Sequence, residues 1–258
     1  MEENSQAASK DTEVIAPVWR DWHTVGSDFR RFDGLPQAQQ DAIMRGETVA
    51  SEVMINDDML WGSVFRYEPS MKPEALAAVF HDYDGQYRFV PGMPETRVVN
   101  RTGKLHRVFH RINPITFLSH GAQTSWPAWL YNALCYSYQL DEEVFSTPTS
   151  DGPGYAIRWT IPLETQVLGA RENGEIMFTR MGEGTLMSYN NATEPFGYKA
   201  LKAIFPNSLL SRLYISLGNV ACDYYKRTVE GFLDTAQAMT SEAIQKDIDR
   251  MLGQPGLE

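Results

Sequence analysis

The sequence predicts an α+β domain with its helices gathered on one face of an antiparallel sheet. Segments of alternating apolar and polar residues crowd together between positions 47 and 191, and helical patterns are confined to one early stretch and the C-terminal part. The stretch 207–239 reads as one long helix, capped by Asn207 or Ser208 and free of proline. Strands grouped apart from helices pack as a sheet with the helices on one side. A curved sheet holding a long helix leaves room for a hollow between them.

The elements follow in order. Residues 1–13 are small and polar without periodicity and read as a disordered leader. Residues 14–45 read as a helical extension. Trp19, Trp22 and Phe29 lie among charges in its first part, and 35–45 fits a short helix with Pro36 early and Gly46 as its cap. The period then changes to two. Strands are expected at 48–55 and 59–67, joined by Asn56-Asp57-Asp58. Pro73 opens a helix at 72–81, Glu74 puts negative charge at its start, and Asp82-Tyr83-Asp84-Gly85 breaks it before a short turn at 86–89. Further strands are expected at 96–100, 104–112, 135–145, 155–163, 175–181 and 185–191. Residues 146–154, with two prolines and two glycines, read as a loop. Asn173-Gly174 and Gly182-Glu183-Gly184 read as hairpin turns. Residues 113–131 carry Phe117, Trp126, Trp129 and Tyr131, fit neither period and read as an insertion. Residues 241–258 extend the long helix or form a separate helical tail.

Charge and motifs narrow the function. A net charge of −10 argues against nucleic acid or an anionic membrane as the main partner. No run of about 18 apolar residues is present to span a bilayer. Met1-Glu2-Glu3-Asn4 lacks the basic and apolar regions of a signal peptide, so the chain as given reads as cytoplasmic; a signal removed beforehand would make it periplasmic or exported. Cys135 and Cys222 read as small buried hydrophobes. His106 and His110 share a strand face about 13 Å apart, too far to ligate one metal. No nucleophile elbow, phosphate-cradling loop or dinucleotide fingerprint is present, so neither metal nor cofactor is expected.

On the long helix, Leu210, Leu213, Leu217, Val220 and Tyr224, then Phe232 and Met239, recur at helical spacing opposite Arg212, Asn219, Asp223, Lys226, Arg227 and Glu230. Alternation in 155–161 puts Trp159 with Tyr155 and Ile157, and Arg158 opposite. Arg180 shares a face with Ile176 and Phe178. It either reaches solvent at the strand end or, if buried, needs a protein carboxylate or an anionic ligand headgroup.

Several runs resemble the START-like, polyketide-cyclase-like (SRPBCC) superfamily of helix-grip proteins, in its bacterial lipid-binding type. Tyr67-Glu68-Pro69-Ser70 precedes the helix Pro73-Glu74-Ala75-Leu76-Ala77-Ala78-Val79-Phe80. Then come Asp82-Tyr83-Asp84-Gly85-Gln86-Tyr87-Arg88-Phe89-Val90-Pro91-Gly92 and Thr96-Arg97-Val98-Val99. Later, the strand ending at Met181, the turn Gly182-Glu183-Gly184-Thr185 and the strand ending at Tyr189 look like the family's closing hairpin. The resemblance covers 46–240; residues 1–45 and the insertion 113–131 depart from the family pattern.

The resemblance implies a curved antiparallel sheet wrapped around the C-terminal helix, with an apolar cavity between them. It implies a hydrophobic small molecule, a lipid above all, as the partner, with transient membrane contact for ligand exchange. Ligand-lining candidates on the early elements are Trp61, Phe65, Phe89 and Phe109. Those on the later strands are Tyr138, Trp159, Phe178, Arg180, Met187 and Tyr189, and those on the helix are Leu213, Leu217, Val220 and Tyr224. Trp126 and Trp129 are candidates for a lid. The leading expectation is binding or transport without catalysis. The alternatives are a cyclase- or aromatase-like enzyme using the same cavity, with an Arg or Tyr as acid, and an interaction protein with a filled core.

Overall fold

The structure is a computed structural model that describes residues 31–56, 59–102, 105–113, 133, 135–149, 152–162, 172–194, 204 and 207–253. The leader, the first part of the extension and the insertion with Trp126 and Trp129 lie outside the described residues.

Among these residues nine strands form one open, curved antiparallel sheet. They are β1 (Val49–Ala50), β2 (Met54–Asn56), β3 (Met59–Glu68), β4 (Glu95–Thr102), β5 (Leu105–Ile112), β6 (Tyr136–Thr149), β7 (Gly152–Thr160), β8 (Glu172–Met181) and β9 (Gly184–Thr193). The order is β1-β3-β9-β8-β7-β6-β5-β4, with β2 also on β3. The helices are α1 (Gln37–Met44), α2 (Pro73–His81), α3 (Asn207–Ala238) and α4 (Ser241–Leu252), and a 3-10 turn, Tyr83–Arg88, follows α2. The expected α+β helix-grip arrangement is present: β9 closes back on β3, and the long α3 lies across the sheet.

Two turns fall elsewhere than expected. Residues 146–149 and 152–154 do not form a loop, because β6 and β7 continue through them with Pro148 opposite Pro153 and Gly152 at φ 128°. Asn173-Gly174 is not a turn either, since both residues lie within β8, paired with β7 and β9. Gly174 is glycine for a packing reason: a Cβ there would stand 2.0 Å from the Trp159 ring. The Gly182 turn stands as expected, at φ 59°.

The main core lies between the sheet and α2, α3 and α4. Phe80, Phe89, Phe178 and Phe232 form its aromatic centre, with Phe232 within 6.0 Å of the other three rings, centroid to centroid. A second layer, Leu35, Ile43, Phe65 and Leu186, packs α1 on the opposite face of the sheet. On α3 the buried positions include Leu210, Tyr214, Cys222, Tyr224, Tyr225, Thr228, Val229, Phe232, Leu233 and Ala236, so Tyr224 faces inward as expected. Leu213 and Leu217, expected inward, are 50% and 44% exposed. The reason is close approach. Gly218 abuts Val53, where a Cβ would come within 2.5 Å of a valine methyl, so small residues face the sheet and the leucines turn outward. Among the described residues no helix is long and apolar enough to cross a membrane.

Candidate functional site

A cavity of about 230 Å³ lies between the sheet and α3. Alternation builds its floor. Along β6, Tyr136, Tyr138, Leu140 and Glu142 share one face; β5 adds His110 and Ile112; β9 adds Tyr189, Asn191 and Thr193. Trp159 from β7, Glu172 from β8, and Leu60 and Gly62 from β3 complete the sheet side. The roof is α3, through Gly218, Ala221, Cys222, Tyr224, Tyr225 and Thr228, and Phe80 and Gln86 close one side. Gly62 is needed beneath the roof: a Cβ there would sit 2.7 Å from Cys222 Sγ.

Two polar groups interrupt the apolar wall. At the first, His110 Nε2 stands 3.6 Å from Glu142 Oε1, with both side chains almost wholly buried. Gln86 hydrogen-bonds Glu142 and also donates to the Phe80 carbonyl at 3.2 Å. Among the described residues His110 Nδ1 and Nε2 and Glu142 Oε2 have no hydrogen-bond partner. Burial pushes the Glu142 carboxyl up to about 8 and the His110 imidazole down to about 3. Both are therefore neutral in their majority form at pH 7, and the pair is a neutral acid beside a neutral base rather than an ion pair.

At the second, Glu172 accepts from Trp159 Nε1 at 3.3 Å and Asn191 Nδ2 at 3.2 Å, and Asn191 also donates to the Tyr225 hydroxyl at 2.7 Å. Burial raises the Glu172 carboxyl above its ordinary value. Tyr138, Tyr189 and Tyr224 are raised well above theirs, chiefly by burial, so all three are neutral phenols. The Tyr224 hydroxyl donates to the Pro91 carbonyl at 3.0 Å. Among the described residues no three His, Cys, Asp or Glu side chains stand close enough to hold a metal ion.

Of the expected lining residues, Trp61, Tyr138, Trp159, Tyr189 and Tyr224 border the cavity. Trp61 also packs with Met59 and Ala192 in a separate cluster. Phe89, Phe178 and Met187 are core residues that do not reach the cavity, and Val220 is only partly buried outside it. Phe65 lies under α1, and Phe109 turns to the other face of β5, beneath the Arg97 guanidinium. Arg180 meets the first of its buried requirements, a protein carboxylate: it pairs with Glu74 of α2 at 3.4 Å, away from the cavity. Arg158 pairs across strands with Glu175. His110, Glu142, Glu172, Gln86 and Asn191 are cavity residues that the sequence reading did not single out as ligand contacts.

The chain matches no protein-family model and no curated protein. It is similar to several solved structures. Human STARD10 is 14% identical, with a TM-score of 0.49, covering 87% of this chain and 89% of that one. A STAR-related lipid transfer protein from Xanthomonas axonopodis is 10% identical (TM-score 0.46; 74% and 98% covered). The Zhui aromatase/cyclase of a Streptomyces species is 12% identical (TM-score 0.40; 67% and 93% covered). These are likenesses of architecture.

Proposed function

We propose that this helix-grip domain binds a compact amphipathic small molecule, a lipid-like one included, in the cavity under α3. One observation carries the reading: the space between sheet and helix is walled by aromatic and aliphatic side chains, yet holds buried polar atoms that no group among the described residues satisfies. Ligand pockets have this composition, an apolar wall with a few placed polar groups. Apolar burial would supply affinity at about 25 cal/mol per Å², and the polar groups orientation. A volume of about 230 Å³ favours a ring compound or a short single chain over a two-chain lipid.

Paired substitutions on α3 test the reading. Ala221 borders the cavity, whereas Leu217 faces outward. Ala221→Trp is expected to cut uptake of cell-derived ligand, read by native mass spectrometry, to a small fraction, while Leu217→Trp leaves it unchanged. Equal uptake in both variants overturns the placement of the ligand.

A second reading, an enzyme using the same cavity, draws support from the His110–Glu142 pair. A neutral base and a neutral acid 3.6 Å apart on a cavity wall are equipped to move a proton to and from a ligand. If so, the co-purified molecule differs chemically between wild type and His110→Phe; an identical molecule in both counts against catalysis.

A further inference from the structure

We infer that the cavity selects a ligand whose polar end is an uncharged hydroxyl, held at His110 and Glu142, and that it rejects carboxylates and phosphates of the same size. The inference deepens the binding reading above and rests on it.

Three atoms define the subsite: both ring nitrogens of His110, and Glu142 Oε2, all buried and without a hydrogen-bond partner among the described residues. Their side chains are 5% and 3% exposed, so water outside the cavity does not serve them. Leaving such groups unmatched in the bound state is costly, so a ligand that satisfies them is favoured over one that does not. A neutral imidazole offers one donor and one acceptor. A hydroxyl matches the subsite, because it can accept from the protonated Glu142 carboxyl and donate to one ring nitrogen of His110. A carbonyl only accepts, an ammonium only donates, and a quaternary ammonium does neither.

Charge points the same way. Among the described residues the lining contains no lysine or arginine, while it contains two carboxyl side chains, Glu142 and Glu172. Three arginines on the neighbouring strands are paired elsewhere: Arg107 with Asp141, Arg158 with Glu175, Arg180 with Glu74. An anionic ligand end would be stripped of water beside two acids with no cation to meet it. The neutral state that burial imposes on His110 and Glu142 at pH 7 agrees with an uncharged guest.

Four probes of one shape separate the possibilities by isothermal titration calorimetry at pH 7: propylbenzene, 4-propylphenol, 4-propylbenzoate and 4-propylbenzylammonium. The wild-type chain is expected to bind 4-propylphenol about tenfold more tightly than propylbenzene, the yield of one or two net hydrogen bonds. It is expected to bind 4-propylbenzoate and 4-propylbenzylammonium at least tenfold more weakly than the phenol. His110→Phe and Glu142→Leu are expected to erase the advantage of the phenol over propylbenzene while propylbenzene binds as before. Propylbenzene or either charged probe matching the phenol in the wild-type chain overturns the inference and leaves the cavity reading standing. Failure of all four to bind overturns both.

Discussion

Replacing Phe232 by alanine is expected to cost about 3–5 kcal/mol of folding free energy, the range for deleting a buried aromatic ring from a packed core. Phe232 is fully buried on α3 and meets Phe80 of α2, Phe89 beyond the 3-10 turn and Phe178 of β8. Its ring therefore joins the long helix to three separate elements. Two of its contacts are edge-on, at 5.3 and 5.5 Å between centroids. That geometry adds about 0.5–1.5 kcal/mol per pair beyond area burial. The chain cannot refill the space locally, because the neighbouring positions Leu233 and Ala236 are already packed. Chemical denaturation should show a lower midpoint at unchanged slope. A loss below about 1 kcal/mol would mean that the three rings close over the gap, and that this cluster does not hold the helix to the sheet.

The contrast between Phe232 and Leu217 shows what the sequence displays and what it hides. Strand positions were legible because alternation is a strong local signal, and β3, β5 and β9 lie within a few residues of where the pattern puts them. The length of α3 was legible for a similar reason, as no proline or glycine pair breaks it. Its inward face was not. Large apolar residues dominate any periodicity reading, yet Gly218, Ala221 and Cys222 face the sheet because the backbones approach closely there. Small residues carry little hydrophobic signal, so the apparent stripe rotates toward Leu213 and Leu217. The polar subsite was hidden differently. Glu142 is in phase with Tyr138, Leu140 and Val144, an acid on an otherwise apolar strand face, and His110 is in phase with Val108 and Ile112. That breach of pattern was the available signal. Glu172 was lost with the misplaced turn at Asn173-Gly174, which cut β8 short.

Folding stability is expected to peak near neutral pH and to fall by up to about 5 kcal/mol between pH 7 and pH 4.5. His81 and His110 are driven down to about 3 and His106 to about 4, each chiefly by burial. His81 and His106 also pack against one another and against Tyr83, tilted or edge-on, at 4.7–5.2 Å between ring centroids. Arg101 and Arg250 oppose the charging of His81, and Arg101 that of His106. A depressed histidine stabilises the fold fully above its unfolded value near 6.5, and that stability is lost as the pH falls toward the folded value. At pH 4.5 the loss is roughly 2–3 kcal/mol for each of the three histidines. Glu142 works in the opposite sense, as do Glu172 and Asp247, whose carboxyls burial also raises, so the net acid loss is smaller than the histidines alone would give. The folded value of Glu142, about 8, lies above the unfolded 4.5, so its protonated form favours the fold and its contribution erodes as the pH rises between the two. Acidification from pH 7 to 4.5 thus returns about 3 kcal/mol at Glu142 against a histidine loss near 8. The histidines win on the acid side, and Glu142 makes the alkaline side fall toward pH 8. Thermal melts across pH 4.5–8 should trace this dome, and His110→Phe should shrink the acid drop by about 2 kcal/mol or more. Equal melting temperatures at pH 7 and 4.5 would mean that these three imidazoles reach solvent in the folded chain.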